Sequence, residues 1–314
     1  MSSDLNKAPR GLPNPRSLSG FFNSPHLRRI LALFILLAFA YSLIVPFGEP
    51  TDEPAHYDYI RYLRDHRRLP VQSPDLAYNP VDEGHHPPGY YAVVALLTGW
   101  APYGPYPLHT NPYLPEGRED AQIVQQFLRD PRARFPWPGP IWAAHLARLV
   151  SIALSALSVA ATYHVAREAA PGKPAVAWLA AGFHAFLPQF LYMSGAINND
   201  NGATLLGALM TWQMLRLLRA PDARGFAGLG ALLGLGVLTK VSLLAMAPAI
   251  GWTVAWAAYH HAETWQARAK SALWWSACVG APALALAGWW AARNLRLYGD
   301  PLAWNIWMQS YARF

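Results

Sequence analysis

At 314 residues and 34.7 kDa the chain is long enough for two soluble domains, but only 14% of it is charged and 53% is apolar. An average soluble chain is about 25% charged. A net charge of +7 in so apolar a sequence points to membrane topology before nucleic acid, and the single cysteine, Cys278, excludes an internal disulfide and a Cys-based zinc knuckle. The 28 prolines exclude a plain helical bundle unless they are segregated.

They are segregated. Residues 46–140 hold 17 of the prolines, 12 of the 18 acidic residues and eight arginines, a local charge of −4. Residues 1–27 are polar and rich in Pro, Ser and Asn, the composition of a disordered tail. A first membrane helix is expected at about Ile30–Pro46, within residues 28–47, after Arg28 and Arg29. Ala38-Phe39-Ala40 resembles a signal-peptide cleavage site, but the long charged lead and the apolar run through Tyr41–Phe47 favour an uncleaved anchor. Residues 48–140 then form a large outer loop, with Tyr90–Trp100 as an interfacial helix too short to span.

Six further spans are expected over residues 141–293, at about Ile141–Val165, Ala175–Ile197, Asp200–Leu218, Phe226–Thr239, Ser242–Tyr259 and Ser271–Ala292, with an outer segment over 294–314. The sequence therefore predicts an all-α polytopic membrane protein of about seven transmembrane helices with a Pro-rich first outer loop. Basic residues set its orientation. Lys7, Arg10, Arg16, Arg28, Arg29, Arg167, Lys173, Arg216, Arg219, Arg224, Arg268 and Lys270 fall in four short segments at alternate helix ends, which places the N-terminus in the cytoplasm. The loop at 48–140, Ser194–Asp200, Lys240 and the chain after Arg293 then share the outer face.

Candidate chemistry collects on that face. Thr51-Asp52-Glu53-Pro54-Ala55-His56 puts two carboxylates where the first helix leaves the membrane; they fit a general base, and equally a capped helix start. Glu83-Gly84-His85-His86-Pro87-Pro88-Gly89-Tyr90-Tyr91 has the composition of a metal site, but adjacent residues on a Pro-stiffened segment converge poorly and no spaced third ligand appears, so no metal is expected. Arg148 lies inside a span, where a cation marks a functional site or a pairing with a carbonyl or loop carboxylate. His184, also within a span, reads as a hydrogen-bonded core histidine. Asn198-Asn199-Asp200-Asn201, Leu238-Thr239-Lys240 and Arg293-Asn294 with Tyr298-Gly299-Asp300-Pro301 complete the set. Carboxylates that take a proton and cations that hold a phosphate would form an outward-facing site at membrane depth.

The order of these motifs resembles the GT-C superfamily of membrane glycosyltransferases, which use polyprenyl-phosphate-linked sugars and include protein O-mannosyltransferases and aminoarabinose transferases. The resemblance runs over about residues 28–305 and implies inverting sugar transfer outside a bacterial inner membrane, in the cell envelope. It implies Asp52 as base, Glu53 as its neighbour, and Lys240, Arg293 and Arg148 at the lipid phosphate, with His86, Asn199 and Asp200 lining the substrate site. The partners implied are the lipid-linked donor and the bilayer, with no cofactor, metal or nucleic acid. Full-length members usually continue with further spans, so 314 residues correspond to about one shared module. Two other readings stay open: a non-catalytic lipid-binding or assembly subunit of a membrane complex, and a transporter or flippase, against which the lack of an internal repeat counts.

Overall fold

The computed structural model describes residue 22 and residues 24–112 and 126–311. Most of the expected tail, residues 113–125 of the outer loop and residues 312–314 lie outside the described residues. Among the described residues eleven α-helices follow in chain order: α1 (Pro25–Ile44), α2 (Glu53–His66), α3 (Gly89–Thr98), α4 (Gly139–Ala169), α5 (Pro174–Ala185), α6 (Pro188–Ser194), α7 (Asp200–Arg219), α8 (Ala223–Thr239), α9 (Ala247–His261), α10 (Trp265–Tyr298) and α11 (Trp304–Tyr311). No strand occurs among the described residues. The chain is an all-α polytopic membrane protein.

Among the described residues, four helical stretches are long and apolar enough to cross a membrane: α1, α4, Val241–His261 (a 3₁₀ turn leading into α9) and α10. A fifth candidate is the bent pair α5 and α6. The expected single span at Ala175–Ile197 is broken there by 64°. Pro188 is the cause, because it cannot donate to the preceding turn and drives Leu187 to extended backbone, ψ 119°. The other two expected spans fall short for separate reasons. α7 has the length, at 20 residues, but carries Asp200, Asn201, Gln213, Arg216 and Arg219. α8 has only 17 residues, about 25 Å of helix against a hydrocarbon core of roughly 30 Å.

Three apolar clusters hold the bundle together. Phe34, Ala38, Ile152, Val159, Ala181 and Leu191 pack α1 against α4, α5 and α6. Met210, Leu217, Phe226, Leu229, Val254 and Val279 join α7 to α10. Tyr57, Ile60, Tyr91, Val94, Ile141 and Ala144 seat the two outer-loop helices, α2 and α3, on the start of α4. The glycine-rich sequence of α8 follows from the second cluster. A Cβ on Gly230 would stand 2.0 Å from the Val279 carbonyl oxygen, and one on Gly234 would stand 3.0 Å from that of Ala283. Small residues four apart let α8 and α10 touch backbone to backbone.

Buried polar groups tie the clusters to one end of the bundle. Ser155 Oγ donates to Asn201 Oδ1 at 2.9 Å, and Asn201 Nδ2 donates to the carbonyls of Met193 and Ala196. Tyr90 Oη meets Ser151 Oγ at 2.7 Å and accepts from Asn198 N at 3.0 Å. These bonds fix the α6–α7 connection against α4 and α3, because a polar group left unpaired at membrane depth costs several kcal/mol. His184, half-buried, finds Thr162 Oγ1 at 2.8 Å, so it is hydrogen-bonded as expected but lies at the edge of the core.

Candidate active site

The residues singled out from the sequence collect at the end of the bundle where α1 leaves, α7 begins and α8 stops, but they divide into two groups with different roles. Glu53 and Arg148 form one buried pair, 0% and 1% exposed. Arg148 Nε donates to Glu53 Oε1 at 2.7 Å and Nη2 to Oε2 at 2.6 Å. Its remaining donors reach the carbonyl oxygens of Ser42 (2.6 Å), Val45 (3.1 Å) and Pro46 (3.4 Å). The carboxylate also accepts from Ile197 N at 2.9 Å and Tyr106 Oη at 2.6 Å. All five N–H groups of the guanidinium are thus occupied. Arg148 has none left for a phosphate, and Glu53 has no open lone pair facing an acceptor. Of the two readings open for Arg148, the pairing with carbonyls and a loop carboxylate is the one the geometry displays: the pair is a structural lock between α1, α2, α4 and the turn before α7. A half-solved buried charge would be untenable, which is why carbonyls and hydroxyls surround it.

Asp52 stands next to this lock and differs from it in every respect. It begins α2 with φ 60° and ψ 7°, a left-handed conformation that aspartate tolerates better than most residues. Its side chain caps nothing, although it occupies the cap position. No described residue hydrogen-bonds its exposed carboxylate. Its pKa is raised above 3.8, first by partial burial and then by the charge of Glu83, while His86 and Lys240 oppose the rise. A more basic, unengaged carboxylate at a fixed corner is suited to accept a proton.

Around Asp52 the outer loop supplies a second layer. A tight turn, closed by Gly84 N to Val81 O (3.3 Å) and His86 N to Glu83 O (3.0 Å), brings Glu83 and His86 to one side. His86 Nε2 and Glu83 Oε2 approach to 2.6 Å. Burial works against the charge of Glu83, but the hydrogen bond and charge of His86, aided by His85 and His56, hold its pKa near 2. The ligand atoms of Glu83, His85 and His86 all lie within 4.8 Å of one another. The convergence that the Pro-stiffened sequence was expected to prevent is achieved by the turn. His56, buried beneath, shares a 2.9 Å hydrogen bond with Tyr91 Oη, which also accepts from Asn199 Nδ2 at 3.4 Å. Burial lowers the His56 pKa to about 4 and that of His85 likewise to about 4.

Lys240 closes the site from α8, its Nζ in an ion pair with Asp200 Oδ1 at the first residue of α7. Asn198 Oδ1 accepts from Asp200 N at 2.7 Å and so orients that residue. Gly89 allows α3 to lie directly on the end of α8, since a Cβ there would stand 2.6 Å from the Leu238 carbonyl oxygen. Arg293 is set apart from this group. Its Nη2 donates to Pro70 O at 2.6 Å and its Nη1 to Asn294 Oδ1 at 3.2 Å. Asp52 thus lies in the fields of Glu83, His86 and Lys240, Lys240 pairs with Asp200, and Asn199 reaches His56 through Tyr91. Glu83 and His56 stand inside motifs that the sequence displays, but their part in the site emerges only from the turn and the packing.

The chain is thus a helical membrane bundle with a carboxylate at the exit of its first helix and cations at the ends of later ones. Residues 143–290 match the family model described as dolichyl-phosphate-mannose-protein mannosyltransferase. That is a GT-C glycosyltransferase family, and the match, over just under half of the chain, supports a membrane glycosyltransferase of GT-C type. The matched segment contains Arg148, Asn199, Asp200 and Lys240 but not Asp52, His86 or Arg293. A search of curated proteins returns no match.

Proposed function

We propose that the enzyme transfers a sugar from a polyprenyl-phosphate donor to an acceptor hydroxyl or amine on the outer face of a bacterial inner membrane, with inversion, and that Asp52 is its general base. The acceptor loses its proton to Asp52 as its heteroatom bonds the sugar's anomeric carbon. The bond from that carbon to the phosphate oxygen breaks, and its electron pair leaves with the polyprenyl phosphate. A base of raised pKa contributes roughly 10²–10⁴ to such a step. Lys240 stabilises the charge growing on the phosphate, in surroundings of lowered dielectric where a fixed cation counts most. His86 lies on the acceptor side with Glu83 behind it. Asn199 acts through Tyr91 and His56. Glu53 and Arg148 hold the corner rigid, and Arg293 acts from outside the site. The sequence of events needs no metal.

One observation carries this reading: Asp52 is held in a left-handed conformation with its carboxylate hydrogen-bonded by none of the described residues, within the fields of Lys240 and His86. The test is release of polyprenyl phosphate by the full chain in nanodiscs, from donors bearing different sugars. Asp52→Asn keeps the shape and the backbone tolerance and is expected to abolish release while leaving the protein inserted and folded. Release at the wild-type rate in that variant would exclude Asp52 as base.

A further inference from the structure

The turn that carries Glu83 and His86 is held at its start by a side chain from a segment the motifs do not touch. Gln72 is 7% exposed and lies beyond the end of α2. Its Nε2 donates to the carbonyl oxygens of Val81 at 2.9 Å and Asp82 at 3.2 Å, the two residues before Glu83. Its Oε1 faces the backbone of Gly84 so closely that a Cβ there would come within 2.6 Å of it. The amide of Gln72 and the bare backbone of Gly84 are complementary surfaces.

Gln72 is itself held from the far end of the chain. Its backbone N–H donates to Tyr298 Oη at 3.1 Å. On either side, Pro70 O accepts from Arg293 Nη2 at 2.6 Å and Ser73 O accepts from Ser310 Oγ at 3.0 Å. Three side chains of α10 and α11 thus strap residues 70–73, and Gln72 passes that constraint to residues 81–86. Tyr59 Oη fixes the other end of the turn, donating to His86 O at 3.2 Å.

We infer that Gln72 is a positioning residue, which sets Glu83 and His86 opposite Asp52 and makes the geometry of the site depend on the C-terminal helices. The inference rests on the reading of Asp52 as general base. It also gives Arg293 a place: the cation expected at the lipid phosphate is an anchor of the strap. Misplacing a reacting constellation by about 1 Å costs on the order of a hundredfold in rate.

The experiment compares the wild type, Gln72→Met, Gly84→Ala, Gln72→Ala and the Gln72→Ala/Gly84→Ala double variant as full chains in nanodiscs. It reads amide hydrogen exchange over residues 82–86 and the pH profile of polyprenyl-phosphate release. Gln72→Met, close in shape but without donors, is expected to speed exchange over 82–86 and to lower kcat on the order of ten- to a hundredfold. KM for the donor should hold, and the acid limb should move toward lower pH as Asp52 gains water. Gly84→Ala is expected to reproduce these effects with Gln72 present and to add nothing to Gln72→Ala. Unchanged exchange or an unchanged kcat in Gln72→Met overturns the inference, as does a Gly84→Ala effect that persists without Gln72. If Gln72→Met fails to fold, the Gly84→Ala comparison decides. An active Asp52→Asn would instead overturn the reading of the base.

Discussion

Glu53 and Arg148, 95 residues apart, meet side by side with two hydrogen bonds of 2.7 and 2.6 Å in a place that water does not reach. The pair joins the first helix, the outer loop and the matched segment of the family in one contact. Removing one partner leaves a buried, uncompensated charge and costs about 3–5 kcal/mol, whereas replacing both by apolar residues is often neutral. Arg148→Met and Glu53→Met are therefore expected to lower the detergent-melting temperature sharply, and the double variant to recover much of the loss. A cycle in which the double variant is as unstable as the sum of the singles would show that the two side chains act independently.

Asp52 carries a conformational cost that a structural cap would not need. Glycine populates positive φ freely, so Asp52→Gly is expected to match or raise the melting temperature while losing transfer. Loss of stability would show that the carboxylate supports the fold. Burial and then the charge of Glu83 raise the Asp52 pKa, so kcat should fall with acidification through a midpoint above 3.8. Glu83→Gln removes the like charge, and the midpoint should drop. A midpoint at or below 3.8 in the wild type contradicts the assignment.

His56 links the site to stability at mildly acid pH. In the fold it takes a proton only below about 4, held down first by burial and then by the balance of Glu83, His86, Lys240 and Asp200 around it; unfolded, it titrates near 6.5. Between those values the unfolded chain binds more protons, so stability falls as pH drops from 6.5 to 4 and then levels off. The displacement amounts to on the order of 3 kcal/mol. Glu83, at about 2 against an ordinary 4.5, contributes in a lower window: its stabilisation is complete above 4.5 and lost as pH falls to 2. His56→Gln, which keeps a polar partner for Tyr91 without titrating, should flatten the melting temperature between pH 7 and 5. An unchanged pH slope would place the linkage elsewhere.

Glu83, His85 and His86 offer ligand atoms within 4.8 Å of one another, so metal dependence has a direct test. The proposed step draws its positive charge from Lys240, and treatment with EDTA is expected to leave the rate unchanged. Activity lost to EDTA and restored by a divalent ion would move these three residues from positioning to ligation.

Much of this architecture was legible because apolar runs of membrane length leave few choices, and because prolines and acidic residues segregate into one loop. The break at Leu187–Pro188 is missed by reading the apolar run of Ala175–Ile197 as one span, although a proline within it favours a bend. The placing of Asp52, Asp200 and Lys240 on one face followed from the alternation of Lys and Arg. The partners of Arg148 were not legible: a carbonyl and a loop carboxylate were both open, and the fold supplies both at once. Gln72 gave no signal, because its importance lies in two carbonyls nine and ten residues away. Distance along the chain carries no periodicity by which such a contact could be read.

Lys240 and Asp200 make the remaining pair, and its partial exposure decides what it can do. An ion pair of this kind contributes about 0–1 kcal/mol, so a phosphate carrying more charge than a carboxylate can displace Asp200 from Lys240 at little cost. On the proposed mechanism the resting pair keeps the cation oriented between turnovers and helps the product phosphate to leave. Lys240→Gln is expected to weaken binding of polyprenyl phosphate in nanodiscs and to lower kcat. Asp200→Asn should do the reverse to binding: the cation loses its competitor, polyprenyl phosphate binds more tightly, and turnover slows where release limits the rate. Equal weakening in both variants would mean that Asp200 holds the donor directly, through the sugar hydroxyls, and that the pair is a shared binding element with no competition in it.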